Sequence, residues 1–456
     1  MSLRVLPVAA LAVLAFTASA RADFGPPVEV APGLATASVA AATDAAGTTS
    51  AIVTGTGGPW LVSRPRGAEW PAPQAFPGTA AGSRSIVGPV VSAAGRGALA
   101  VAWRIDRPRA YGGIGVAVRD PGTGALEAPA TIADETAGGV RHPAIAIDRA
   151  GDAVLAYDTG TNAAHLNVAG GIAVALRPAG RPFGERRIVE SRLSGPPAVA
   201  IARDGRGVVA WSRSRRVYAV TVDTVAGTMG AVKMLSGAAG VSSLVAAAGP
   251  GGAATVAWVT HRTTVTGRRS RSSYWIAVAR RPAGHQFAAP VAVGKGATFV
   301  RDVALAADEA GTATLAWTPM TFGRDHSVGI NGITTTTRTA TAAPGRPFAA
   351  PRVLVPAGDA SCTTPSIAAA AGRTALAWAC VRHDGHQEFQ AAVGAPDDSV
   401  PSTITTTDRA APMMGSIANV VATLDAQGTA SIFLVRADPV TSPTPGIEHI
   451  IGVMGD

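Results

Sequence analysis

The chain has 456 residues and a formal net charge of +9; 47% of its residues are hydrophobic, 15% charged and 5% aromatic. It is too apolar and too weakly charged for a disordered chain, and its length suits two or three ordinary domains or one repeat array. With 53 glycines and 33 prolines, and an apolar set dominated by Ala and Val, many short strands joined by turns are expected rather than long helices.

The N-terminus reads MSLRVLPVAALAVLAFTASARADFGPP. Arg4 supplies a charged n-region and Leu6 to Phe16 an apolar core. Ala18-Ser19-Ala20 and Ala20-Arg21-Ala22 both fit a small-residue cleavage site. A secretory signal peptide over residues 1–22 is therefore expected, with a secreted or cell-envelope location for the remainder. No later stretch reaches the ~18 uninterrupted apolar residues of a spanning helix, so no membrane span is expected. Beyond the leader, residues 23–456 are expected to form one domain.

One ten-residue phrase then recurs. DRAGDAVLAY covers Asp148 to Tyr157, DEAGTATLAW Asp308 to Trp317, and DAQGTASIFL Asp425 to Leu434. Aligned on the closing residue, the copies end at Val53, Trp103, Tyr157, Trp211, Trp258, Trp317, Trp378 and Leu434. A glycine stands six positions earlier each time: Gly47, Gly97, Gly151, Gly205, Gly252, Gly311, Gly372 and Gly428. The intervals are 50, 54, 54, 47, 59, 61 and 56 residues. Asp44, Asp148, Asp308 and Asp425 precede their glycines by three, the preference of a type I turn closed by a left-handed glycine. Each phrase thus reads as strand, three-residue hairpin loop, strand. Both strands are near-continuous small apolar runs, as suits strands buried on two faces.

A second phrase closes each repeat: an aromatic or Leu with Pro three later, as in Trp70/Pro73, Leu126/Pro129, Phe287/Pro290 and Phe348/Pro351. Proline lacks a donor and belongs on an edge strand. About four strands per repeat of ~40–60 residues is the signature of propeller blades. The fold expected is an all-β propeller of about eight four-stranded blades, with seven as the alternative. Phe24, Pro27 and Val30 repeat the closing phrase with no blade before them. The final repeat, residues 415–456, offers three strand candidates. An N-terminal strand within 24–31 is therefore expected to complete the last blade and remove its open edge.

In these repeats the whole mature chain resembles bacterial secreted β-propellers, loosely of the sialidase-like type. Unlike the sialidase Asp-box, the glycine-to-aromatic gap is six and the box serine is missing. The resemblance implies a propeller that presents its function on one loop face.

Cys362 and Cys380 are the only cysteines. If Ala370-Ala371-Gly372 forms the seventh hairpin loop, the two stand directly opposite on neighbouring strands. A disulfide is expected there, as suits an oxidising compartment.

In such blades the first and third connections share one face, and here both are tight. The second connection, following each anchor, is expected to be a long, variable loop on the other face. Those segments carry the arginines: Arg104 and Arg107; Arg213, Arg215 and Arg216; Arg268, Arg269 and Arg271; and Arg324. Lysine, by contrast, occurs only at Lys233 and Lys295. Converging guanidinium groups would pair with carboxylate or phosphate. The function expected is a non-catalytic binding or scaffold module, monomeric, taking an anionic glycan, a wall polymer or an exported protein, with no nucleic-acid partner and no cofactor. The alternative is a sialidase-like glycoside hydrolase. That would draw on the few carboxylates of these segments (Asp106, Asp325, Asp384, Glu388) and on Tyr111 or Tyr274. The run HDGHQE offers His383, His386 and Glu388 at spacings open to a metal, too weak a pattern to assign one.

Overall fold

Strands of the computed structural model gather into eight sheets, each a consecutive stretch of chain except the last. The structure describes residues 28–455 apart from 31–35, 56–57, 77–84, 94–96, 108–109, 122–123, 135–139, 160–169, 238, 267–268, 298, 323–332, 356–359, 383–385, 396–399, 411–419 and 438–446. The signal-peptide reading and most of the N-terminal closing phrase lie outside these residues. No described helix is long and apolar enough to cross a membrane.

The innermost strands run Thr36–Thr43, Ser85–Ala93, Arg141–Ile147, Ala198–Ile201, Gly240–Gly249, Phe299–Ala307, Ser366–Ala370 and Val420–Leu424. Each contacts the inner strand of the next sheet, and the last contacts the first, so the sheets close a ring of eight blades. In blade 8, Val420–Leu424, Ala430–Ala437 and Ile447–Gly455 are followed by Val28–Glu29 as outer strand. Val28 pairs with Gly452 and Glu29 with Ile451.

The phrase anchors explain why the blades stack. Trp103, Tyr157, Trp211, Trp258, Trp317, Trp378, Val53 and Leu434 are all at most 4% exposed. Each packs into a separate apolar cluster shared with the preceding blade: Trp211 with Val154 and Val174 of blade 3, Trp258 with Val208 and Val217 of blade 4. Eight clusters fill eight junctions. Burying one large anchor side chain per blade, a ring in six of the eight, contributes roughly 1.5–3 kcal/mol each. The alanines around the rings let the sheets approach.

The tight turns follow the expected chemistry. Gly47, Gly151, Gly311 and Gly428 sit at φ +86°, +95°, +88° and +86°. The Oδ1 atoms of Asp44, Asp148, Asp308 and Asp425 accept backbone N–H groups of their own loops at 2.8–2.9 Å. The outer-strand prolines stand one residue before the strand rather than within it. Pro73, Pro129, Pro290 and Pro351 are each followed at once by Gln74–Ala75, Ala130–Asp134, Val291–Ala297 and Arg352–Val355. Proline there ends the preceding turn without removing a ladder bond.

Blade 7 departs from the expected loop. Ala370 pairs with Arg373, leaving Ala371 (φ +49°) and Gly372 (φ +72°) as a two-residue turn, which is type I′ geometry. Counting outward, that turn alone would set the cysteines one position out of register. Between Ser366, which pairs with Ala377, and Cys362, which pairs with Cys380, the inner strand carries one extra residue. This bulge restores the pairing, and Cys362 and Cys380 form a disulfide with Cα atoms 4.0 Å apart.

Candidate functional site: an arginine-bearing rim at blades 4 and 5

Blade 4 is built from Ala198–Ile201, Arg206–Arg213 and Arg216–Asp223, with short outer strands Thr228–Met229 and Lys233–Met234. Its second connection is not the long loop expected. Arg213 pairs with Arg216, so Ser214 and Arg215 alone make the turn, at φ +48° and +67°. Type I′ hairpins prefer Asn-Gly for this conformation. Side chains other than glycine here carry a backbone cost, a pattern that clusters at functional positions. Arg215 and Arg216 are exposed. The carbonyl of Arg215 accepts the N–H of Ala239 at 3.0 Å, which ties this tip to the segment entering blade 5.

Blade 5 likewise has a ribbon where a loop was expected. Ala253–Thr266 and Arg269–Arg281 pair without interruption from Ala254/Arg281 to Thr266/Arg269. Its inner half packs between neighbours, with Val256 and Trp258 toward blade 4 and Ala257 and Val259 toward blade 6. Cβ atoms alternate along a strand and agree across a pair. Arg262 therefore shares the blade 4 side of the ribbon with Trp258, while the side chains of Arg269 and Arg271, on the returning strand, lie outside the described residues. The base of the ribbon is braced on its other side by His261 stacked on Tyr274 (5.2 Å) and Tyr274 edge-on to Phe299 (5.1 Å).

The remaining candidates divide. Arg213 is committed to structure: it donates to Glu190 and to the Tyr218 hydroxyl at 2.7 Å, and lies 4.4 Å over the Tyr218 ring, which stacks on Trp211. Arg104 is half-buried within Leu99–Arg107, opposite Ile114, and Arg107 ends that strand, opposite Ala110. Both belong to blade 2 and are separate from the arginines of blades 4 and 5. Arg268 and Arg324 lie outside the described residues. So do His383, Asp325 and Asp384. Glu388 is buried and accepts from Arg382 Nε at 3.1 Å and Gln390 Nε2 at 2.8 Å. Among the described residues no three His, Cys, Asp or Glu side chains are grouped to hold a metal.

A feature the sequence reading passed over lies on the opposite face. A cavity of about 620 Å³ opens on the axis, walled by the tight turns of the blades. The residue after the first turn position reaches its rim in seven of them: Ala45, Arg149, Arg203, Pro250, Glu309, Ala370 and Ala426. Most are small, which keeps the mouth open. The cap aspartates Asp44, Asp148 and Asp308 also border it but are buried and turned to their own loops.

Eight radial sheets of four or five strands, an axial cavity and buried anchors between the sheets define a β-propeller. No known protein family's sequence profile matches the chain, and no curated protein matches it. Solved structures similar in architecture include the BP39L lectin from Burkholderia pseudomallei, with 13% identity over 82% of this chain and 100% of that one, TM-score 0.46. A polysaccharide lyase described as an ulvan lyase aligns at 10% identity over 78% and 89%, TM-score 0.46. The Dos1 propeller aligns at 8% identity over 95% of each chain, TM-score 0.43. Likeness at this level says nothing about ligand or activity.

Proposed function

We propose that the protein is a non-catalytic binding module of the cell exterior or envelope that recognises an anionic glycan or wall polymer through the arginines at the rim of blades 4 and 5. One observation carries this reading. The Ser214-Arg215 turn is held in a left-handed conformation at the exposed Arg215 and Arg216, next to a blade 5 ribbon that carries Arg262, Arg269 and Arg271 along its two strands. Several guanidinium groups at one rim suit the successive charges of an anionic polymer. Guanidinium groups pair with carboxylates or phosphates in bidentate fashion. The disulfide is compatible with an oxidising location.

The test is a glycan and wall-polymer array probed with purified protein at low and high salt, alongside the double variant Arg215→Glu/Arg216→Glu. An anionic hit that fades with salt and falls at least tenfold in the variant supports the reading. Binding confined to acidic proteins, or equal binding by the variant, refutes it.

A further inference from the structure

The repeats can be compared with one another, and two of the junctions between blades differ at the positions that matter. In blade 3, Arg177 pairs with Ala153, two residues past the turn glycine Gly151; in blade 5, Arg281 pairs with Ala254, two past Gly252. The two arginines act alike within their blades. Arg177 Nη1 donates to Gly151 O at 2.7 Å, and Arg281 Nη1 donates to Gly252 O. Arg177 is 1% exposed, and its Nη2 donates to Glu127 of the preceding blade. Glu127 is fixed by its own N–H, which bonds Val118 O at 2.8 Å.

The matching bond in blade 4 runs from Gly230 N to Thr221 O at 2.9 Å. Both bonds span nine residues, and Leu126 and Met229, one position earlier, pair with the matching residues Arg119 and Val222. Gly230 therefore occupies the place of Glu127. Among the described residues no carboxylate pairs with Arg281. A second cation joins it: the residue after the turn glycine is Ala98 at one junction and Arg206 at the other. A Cβ on Gly252 would lie 3.2 Å from Arg281 Nη1 and 3.4 Å from Arg206 Cβ and Cδ, so the two side chains flank a single glycine. Arg206 holds only a distant carboxylate, Asp223 at 3.4 Å.

At one junction Arg177 faces Glu127, while at the other Arg206 and Arg281 stand with Asp223 and with Asp204, whose Oδ2 accepts the N–H of Gly251 at 3.0 Å. Where the glutamate side chain would lie there is a groove of about 320 Å³, lined by Arg206, Arg281, Asp223, Thr221, Thr228 and Gly230. Its size falls at the small end of ligand sites.

We propose that this groove binds the carboxylate of a small acid or of a sugar-acid residue, which takes the place that Glu127 takes at the homologous junction. The groove lies on the tight-turn face, away from the arginine rim, and the inference does not depend on the function proposed above. Arg281, already oriented by Gly252 O, offers its remaining N–H groups as a fork. Arg206 supplies the second charge, and the threonine hydroxyls are placed for the acid's neighbouring oxygens.

Calorimetric titration with glucuronate, with glucose as the neutral control, tests the site. Saturable binding of glucuronate that glucose does not show is expected, weakened at least threefold by Arg206→Ala, a change at an exposed side chain. Gly230→Glu should abolish it by supplying the carboxylate from within. The new Cβ would stand 2.4 Å from Thr221 Oγ1, so that hydroxyl must rotate; Arg281→Gln tests the same point without crowding. Arg215→Glu/Arg216→Glu should leave glucuronate binding unchanged, which separates this site from the arginine rim. No selective binding by the parent protein, or unaltered affinity in Arg206→Ala and Arg281→Gln, overturns the proposal.

Discussion

Arg66 Nη2 donates to Asp425 Oδ2 at 2.7 Å and to Thr429 Oγ1 at 2.6 Å, joining the third-connection turn of blade 1 to the first-connection turn of blade 8. The same aspartate accepts the N–H groups of Gln427 and Thr429 through its other oxygen. Asp425 is 3% exposed, so both oxygens act where water competes little. Removing it orphans the two turn donors and leaves the half-exposed guanidinium only Thr429 as a partner. Asp425→Ala should lower unfolding free energy by about 2–3 kcal/mol, the scale for losing charge-assisted bonds in a buried setting. Urea unfolding with an unchanged m-value would measure it; a loss under about 0.5 kcal/mol would remove this contact from the account of ring closure.

Blade 7 is held by its disulfide across a loop of modest length. Cys362→Ala/Cys380→Ala should cost about 3 kcal/mol on the chain-entropy estimate. Thermal unfolding of parent and variant gives the difference, and intact mass with and without reduction and alkylation checks that the parent carries no free thiol.

Asp148 provides a pH signature. Burial pushes its carboxyl up to about 6, and the nearby Asp152 charge adds to the shift against three backbone hydrogen bonds that oppose it. Its Oδ2 is buried without a hydrogen-bond partner. A raised acid pKa means the folded state holds its proton more tightly than the unfolded state, whose carboxyl titrates near ~4. This group's contribution is therefore fully present below ~4 and is lost as pH rises through about 6, by at most about 3 kcal/mol. In Asp148→Asn that loss should vanish, because the amide oxygen still accepts the loop N–H groups. Parallel stability–pH curves for parent and variant between pH 4 and 7 would contradict it.

Gly115 faces the Trp103 ring so closely that an added Cβ would sit 2.2 Å from Cε2. The indole is 4% exposed and packed edge-on against Phe76 at 5.1 Å, so it has little room to retreat. Gly115→Ala should destabilise by about 1–3 kcal/mol through overpacking. The near-ultraviolet signal of tryptophan should change with it; a neutral result would mean that the blade 1–2 junction repacks freely.

The fold was legible because burial imposes period and spacing on the sequence. A large apolar anchor that must lie between two sheets recurs once per sheet, aromatic in six of the eight, and a turn that needs a left-handed residue fixes a glycine six positions before it. The proline phrases were legible for the same reason, since missing donors confine them to strand boundaries. The site was less so. Nothing in SRSRR distinguishes a two-residue hairpin from an exposed loop, because its backbone conformation is one that glycine usually marks. Arg213 looked like its neighbours until Glu190, 23 positions earlier, was found beside it. The contrast between Glu127 and Gly230 is invisible when repeats are aligned on their anchors, since the third connections vary in length. It emerges only when they are aligned on a backbone hydrogen bond. The cysteines were paired correctly through two errors of one residue, in turn and in strand, that cancel.

The strand Val28–Glu29 meets Ile451 and Gly452 across more than four hundred residues. Drawing two points of a free chain together over that separation costs about 5 kcal/mol, more than two ladder pairs return. The strand cannot gather the circle; it can only fasten one that eight inter-sheet cores have already drawn shut. Its order of events is thereby set. It docks after the other blades have stacked, and its amide hydrogens should be the first of the ladder to exchange with solvent, so that the seam opens and recloses while the rest of the wheel stays whole.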